Sequence, residues 1–241
     1  MEKEELNAYK IKTGYNLRQL ELDYYQHLAL AGIYREFNTI YFKGGTCLQK
    51  CYGIKRFSED LDFNFFDLQS SKITSFLEEL FQEKISGFHE TKFGITFSIR
   101  IQGILFNGDN QTLCRISFDF RENDIYRAPM KKIIRPVYHD LSNYFILALD
   151  SGEILAEKVR AIMTRFKARD VYDLNELLLN DVQVDFDLIN KKLNSYDQVF
   201  DRNVFSAKLE EKRKIYNQEL QRLTRFFDEF DRCMENILKN I

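Results

Sequence analysis

A chain of 241 residues, 44% hydrophobic and 30% charged, is long enough to bury a core as one large domain or two smaller ones. Its net charge of −2 excludes a global electrostatic pull toward nucleic acid, although a basic patch on one face is compatible with it. No apolar run is long enough to cross a bilayer, and the N-terminal MEKEELNAYK, charged from its second residue, lacks the apolar core of a signal peptide. The expected location is therefore the cytoplasm, with no membrane contact.

In chain order, Leu17, Leu20, Tyr24, His27, Leu28 and Ala31 recur at helical spacing and predict a first helix. Thr39–Phe42 is a short β-prone run that stops at Gly44-Gly45, and a brief helix, Thr46–Tyr52, follows and ends at Gly53. A second strand is predicted over Leu61–Phe66 and an amphipathic helix over Ser70–Lys84. Two more strands, near Gly94–Phe106 and Leu113–Phe120, flank Asn107-Gly108-Asp109-Asn110, a hairpin signal. From Ser151 onward the pattern is helical. The chain thus divides into an α+β part, residues 1–145, with a mixed, mostly antiparallel sheet flanked by helices, and a C-terminal helical bundle, residues 146–241. Cys47, Cys51, Cys114 and Cys233 form no Cys-x-x-Cys pair and are read as reduced thiols rather than zinc ligands.

The chemistry concentrates around Asp60 and Asp62. They alternate with Leu61, Phe63 and Phe65, so a strand puts both carboxylates on one face and the apolar residues on the other. Taken alone this is also what a water-facing strand looks like. Two carboxylates projecting together repel unless a cation lies between them, and an oxygen-rich pair suits Mg²⁺ (or Mn²⁺) with phosphate oxygens completing the shell. Upstream, Gly44-Gly45 between a strand and a helix allows backbone N–H groups to approach a phosphate closely. Thr46 and Ser58 add hydroxyls, and Lys43, Lys55 and Arg56 add positive charge. Asp119, between Phe118 and Phe120 on a later strand, is either a third metal ligand or a surface acid.

Two further segments are less decisive on their own. In the helix that carries Ile154, Leu155, Val159, Ile162, Met163 and Phe166, Lys158 falls on the flank of the apolar stripe, where a lysine either snorkels outward or faces a partner. Asp170 and Asp173 open the next helix; Asp170 reads as a cap, and local spacing does not choose between the two acids. Tyr172 reads as a packing aromatic or as one that stacks on a base. From Ala207 to Leu238 apolar residues recur every three or four positions as a heptad-like seam. That seam suits bundle packing or a docked partner, and Lys212, Arg213, Lys214, Arg222 and Arg225 beside it form a solvated face or a guide for RNA.

Gly-Gly-Thr, then Arg-x-Ser-x-Asp-Leu-Asp-Phe, resembles the AbiEii/AbiGii toxin family of the nucleotidyltransferase superfamily, as do Glu153-Ile-Leu-Ala-Glu-Lys-Val and Arg169-Asp-Val-Tyr-Asp-Leu downstream. The resemblance implies a nucleotidyltransferase-type sheet and a helical domain that completes the active site. It also implies transfer of a nucleotide from a nucleoside triphosphate to an acceptor hydroxyl, with release of pyrophosphate. The residues it implies are Asp60, Asp62 and Asp119 for the metal; Gly44, Gly45, Thr46, Arg56, Ser58 and Lys158 for the nucleotide; and Asp173 as the base that helps deprotonate the acceptor. The implied biology is the toxin of a toxin–antitoxin or phage-defence system, with RNA, including the tRNA 3′ end, as acceptor and a cognate antitoxin encoded nearby. A small-molecule or protein acceptor, and a catalytically silent nucleotide-binding module, are the alternatives.

Overall fold

Phenylalanine at every second position of several strands organises the sheet. The computed structural model describes residues 1–122 and 124–241. Its elements are α1 (Lys3–Thr13), α2 (Leu17–Glu36), β1 (Ile40–Lys43), α3 (Gly44–Tyr52), β2 (Asp60–Phe65), α4 (Ser70–Phe81), β3 (Ile85–Thr91), β4 (Gly94–Ile101), β5 (Cys114–Glu122), β6 (Met130–Ile134) and β7 (Tyr144–Ala148). The helices α5 (Ser151–Thr164), α6 (Arg169–Leu179), α7 (Phe186–Asn194), α8 (Arg202–Glu211), α9 (Arg213–Leu220) and α10 (Phe230–Asn240) follow. Two units emerge. The first holds Met1–Cys47, residues 59–122 and Pro129–Ala148; the second holds Leu48–Ser58, Asp124–Ala128 and Leu149–Ile241. No helix among the described residues is long and apolar enough to cross a membrane.

In the first unit the seven strands form one mixed sheet in the order β3-β4-β5-β2-β1-β7-β6. β2 is antiparallel to β1 and parallel to β5, and β7 runs parallel to β1. One face is a ladder of buried rings: Phe42 beside Phe63 at 5.4 Å, Phe63 stacked on Phe120 at 4.7 Å, and Phe118 against Phe97 at 5.2 Å. Because side chains alternate with period two, a one-residue slip would move this ladder to the opposite face, so burial fixes the register.

Buried polar groups of α2 tie the helix to this unit: Tyr138 donates to Asp23 at 2.8 Å, His27 Nδ1 and the Tyr144 hydroxyl lie 2.7 Å apart, and Gln26 donates to the Glu59 carbonyl at 2.9 Å. The predicted hairpin is partly different. β4 and β5 are antiparallel neighbours, but β4 ends at Ile101 and a 3₁₀ turn, Asn110–Thr112, lies in the connection. The cause is α2: Glu21 accepts the Leu105 N–H at 2.6 Å, and a β-carbon at Gly103 would meet the Glu21 carboxylate at 2.5 Å. The strands β3, β6 and β7 were not anticipated.

In the second unit α5 is capped by Asp150, which accepts from the N–H groups of Gly152 and Glu153. The fully buried Lys192 of α7 joins Glu153 at 2.9 Å, Asp124 at 3.3 Å and Glu157 at 3.5 Å, and donates to the Asp124 carbonyl. Burial alone would lower its pKa, but the three carboxylates raise it.

The expected C-terminal seam is not one helix. α9 stops at Leu220 and α10 starts at Phe230, because the intervening chain is fastened elsewhere: the Phe57 N–H donates to the Leu223 carbonyl at 2.7 Å and the Thr224 hydroxyl to the Lys55 carbonyl at 2.8 Å. Nor is Lys212 part of a solvated face. It is buried and donates to the Ile162 carbonyl at 2.5 Å, near the C-terminus of α5, where orphan carbonyls and the helix dipole favour a cation. Arg213 is paired with Glu210 and Asp231.

Removing Lys192 leaves buried carboxylates without their counter-charge. Lys192→Ala is expected to lower unfolding stability by about 3–5 kcal/mol, read from urea denaturation; a loss below about 1 kcal/mol would show that the hub is weakly coupled to folding.

Candidate active site

The acid pair lies where the strand pattern placed it. Along β2, Leu61 and Phe63 are buried while Asp60 and Asp62 are half-exposed on the opposite face. The cross-strand partners put Ser117 beside Asp60, and both Lys43 and Asp119 beside Asp62. The Asp60 carboxylate makes no hydrogen bond or ion pair with any described residue. Asp119 shares the face, but its carboxylate is forked by Arg121, whose Nε and Nη2 donate at 2.7 and 3.1 Å.

The glycine pair is more than a linker. α3 begins at Gly44 itself rather than at Thr46, so the first-turn N–H groups, which have no intrahelical acceptor, are those of the glycine segment. Gly44 has φ +73°, and a β-carbon there would lie 2.1 Å from Asp62 Oδ2. Glycine is thus required twice, by the left-handed backbone and by the close approach of the carboxylate. Thr46 is fully buried and its hydroxyl donates to the Asp60 carbonyl at 2.5 Å. It fastens the first turn of α3 to the start of β2.

A second cluster belongs entirely to the second unit. Asp170 and Asp173, three apart on α6, share a helix face, and both are fully buried. Lys158 of α5 lies between them, its Nζ 2.9 Å from Asp170 and 2.7 Å from Asp173. Arg56 grips Asp173 with Nε at 2.5 Å and Nη2 at 2.7 Å, and Arg165 grips Asp170 at 2.8 and 2.7 Å. Three cations thus face two carboxylates.

Burial by itself would raise both aspartate pKa values, yet the adjacent cations hold both below the ordinary range: Arg56 and Lys158 for Asp173, Lys158 and Arg165 for Asp170. Arg56, in turn, is kept charged by Asp173 against the cost of its own burial.

Several expectations change here. Asp170 is not a cap; the N-cap of α6 is Ala168, which makes no side-chain cap bond. Lys158 is only 5% exposed, so it faces partners and does not snorkel. Arg56, expected among the nucleotide-binding residues, is buried and paired with Asp173. Ser58 is buried, with its N–H on Gln49 Oε1 at 3.1 Å.

Two residues were missed. Arg165 was not singled out although it lies within a turn of Asp170. Asn64 continues the polar alternation of Asp60 and Asp62, is fully buried, and its Oδ1 has no hydrogen-bond partner among the described residues. Period two was the available signal for Asn64.

A seven-stranded mixed sheet with an Asp-x-Asp strand beside a glycine-started helix is the architecture of a nucleotidyltransferase. The chain belongs to the family described as nucleotidyl transferase AbiEii toxin of type IV toxin–antitoxin systems, whose model matches residues 29–236. It is a nucleotidyltransferase toxin, and membership implies a nucleoside triphosphate substrate and a cognate antitoxin. Among solved structures it is similar to MenT4, a nucleotidyltransferase toxin from Mycobacterium tuberculosis, at 16% identity over 100% of this chain and 88% of that one, TM-score 0.66. It is also similar to JHP933 from Helicobacter pylori, at 17% identity over 92% and 89% of the two chains, TM-score 0.55. Identities this low speak for the shared fold. No curated protein matches the chain.

Gly44→Ala is expected to abolish nucleotide transfer, since the new methyl must displace the Asp62 carboxylate; a variant that transfers nucleotide at the parent rate would show that the close approach is dispensable. For Asp173 the pH dependence has a definite sign. A carboxylate whose folded pKa is depressed contributes stability above its unfolded value, about pH 4, and that contribution is lost as pH falls toward the folded value. Asp173→Asn should cost about 3–5 kcal/mol near neutrality, and its stability should fall less steeply than that of the parent below about pH 4. Urea denaturation at stepped pH reads both.

Proposed function

We propose that this toxin transfers a nucleoside monophosphate from a nucleoside triphosphate to an RNA hydroxyl, with the 3′ end of tRNA as acceptor. The acceptor oxygen bonds to the α-phosphorus, the bond to the bridging oxygen breaks, pyrophosphate leaves, and the hydroxyl proton is released. The observation that carries the reading is the pair Asp60 and Asp62, side by side on the polar sheet face against the glycine-started α3.

Among the described residues no group of three or more His, Cys, Asp or Glu is arranged to hold a metal ion. Two carboxylates are nevertheless a fitting donor set for Mg²⁺ or Mn²⁺, which keeps waters and takes substrate phosphate oxygens for the rest of its shell. Such an ion supplies charge neutralisation and polarisation of the reacting phosphate. Asp60 and Asp62 would hold it, and Asp119 would join them only if its pairing with Arg121 were given up. The N–H groups of the first turn of α3, from Gly44 and Gly45 onward, bind phosphate oxygens, as helix N-termini do.

In the second unit we assign Lys158 to the phosphates, on the strength of the family resemblance. We read Asp173 as a positioning residue: a carboxylate without exposed surface, held below its ordinary pKa by two cations, orients Lys158 and Arg56 and is poorly suited to take a proton. The catalytic gain comes from positioning and charge stabilisation, as phosphoryl-type transfers require.

Asp60→Ala combined with Asp62→Ala should abolish both transfer and growth inhibition, and chelation of divalent metal should stop transfer by the parent. The acceptor is read by following α-labelled nucleoside triphosphates into RNA, protein and small-molecule fractions. Label confined to protein or to small molecules would sink the RNA reading while leaving the nucleotidyltransferase chemistry intact.

A further inference from the structure

The polar face of the sheet extends well beyond the acid pair. The unbroken β4–β5 register sets Thr96 opposite Asp119, Ser98 opposite Ser117, and Arg100 opposite Arg115. Since Ser117 is also the partner of Asp60, Arg100 and Arg115 project from the same face as Asp60 and Asp62. Arg115 is two residues along β5 from Ser117, and Arg100 is one strand further out. Two like charges directly opposite on one sheet face destabilise the pairing. Here the strain has no internal relief: both side chains are exposed, and neither makes a hydrogen bond or ion pair with any described residue. Arg121, on the same strand and face, is by contrast occupied with Asp119.

Arg115 also lines a pocket of about 220 Å³, shared with the exposed Arg18 of α2 and lined by Leu22, Leu105, Thr112, Leu113 and Cys114. The acid in this lining, Glu21, is turned onto the Leu105 N–H, which its carboxylate accepts at 2.6 Å. Apolar walls with two guanidinium groups match a nucleotide: a flat base against aliphatic side chains, and a phosphate that guanidinium forks bind in bidentate fashion. An exposed, unpaired arginine pair is also suited to neutralise successive phosphates of a polynucleotide.

We propose that Arg100 and Arg115, with Arg18 and the adjoining pocket, form a subsite for the RNA acceptor that takes a backbone phosphate and its neighbouring nucleoside. This rests on the RNA reading above and adds the residues that would recognise the acceptor. The subsite binds a strand already carrying its phosphates, so it acts on acceptor affinity and not on the triphosphate.

The test uses the full-length protein without nucleotide and fluorescently labelled total tRNA, with binding followed across a salt titration. Arg100→Ala combined with Arg115→Ala should weaken tRNA binding on the order of tenfold and reduce the slope of log K against log salt by roughly 1–2. In turnover it should raise the KM for tRNA and leave the KM for the nucleoside triphosphate in place. Arg100→Lys with Arg115→Lys should restore the salt slope, and a urea melt that matches the parent would show that the alanine variant is folded. If the parent binds tRNA and the alanine variant binds it with the same affinity and slope, the subsite is overturned while the RNA reading stands. A rise in KM for the triphosphate alone also overturns it. If the parent shows no salt-dependent binding of tRNA, the subsite and the RNA reading fall together.

Discussion

The molecule depends on one constraint, the two-sidedness of β2. Leu61 and Phe63 are wholly buried on one face, with Phe63 stacked on Phe120 of β5 and packed against Phe42 of β1. Asp60 and Asp62 can project only from the other. The apolar face supplies the free energy and the polar face inherits its geometry. A strand that slipped by one residue would bury two carboxylates and expose its rings, so the packing that fixes the fold also fixes the spacing of the acids. The demands of packing and of the acid pair fall on alternate residues of this strand.

The joint between β1 and α3 carries the same logic to the backbone. Gly44 admits the Asp62 carboxylate where any side chain would exclude it, and Thr46 anchors its hydroxyl on the Asp60 carbonyl. The first turn of α3 is therefore referenced directly to the two acids. In the second unit, precision comes from charge instead. Arg56 comes from the first family motif and Asp173 from the last, and they form a bidentate buried pair that Lys158 extends. Motifs far apart in sequence thus meet as one ion network. Buried pairs of this kind contribute little net stability, but they are costly to break, and that asymmetry suits a cluster whose value lies in orientation.

What the sequence made legible follows from these physical differences. The acid pair and its face were readable because period-two alternation is local and strong. The α+β part and the helical part were readable because strand and helix periodicity are both local signals. The edge strand β3 has Gly87 at positive φ and a register shift between Ser86 and His89, which blurs alternation. β7 touches β1 through a single bridged pair, Phe42 with Ala148. Neither advertises itself over a short window. Asp170 was misread as a cap because the first turn of a helix is where caps sit; only the long-range arrival of Lys158 and the turn back from Arg165 distinguish an ion-network member from a capping acid. The C-terminal seam misled in the opposite sense, since Leu220 and Phe230 are both core residues with helical periodicity between them, yet hydrogen bonds from Lys55 and Phe57 of the same unit hold the chain out of helix.

Two kinds of basic residue matter here, and composition alone conceals the difference. Arg56, Lys158, Lys192 and Lys212 are buried and each is satisfied by carboxylates or a helix carbonyl. Arg100 and Arg115 are exposed, opposed to each other, and unpaired among the described residues. A buried, paired cation is preorganised: it offers one direction to one small anion and cannot follow a moving chain. An exposed, unpaired guanidinium is the reverse, tolerant of many phosphate positions and costly to the sheet until one arrives. A net charge of −2 hides both populations because acids elsewhere cancel them. The electrostatic character that matters for a polyanionic acceptor is therefore a property of one sheet face, set by register, and it becomes visible only once Ser117 is known to stand between Asp60 and Ser98.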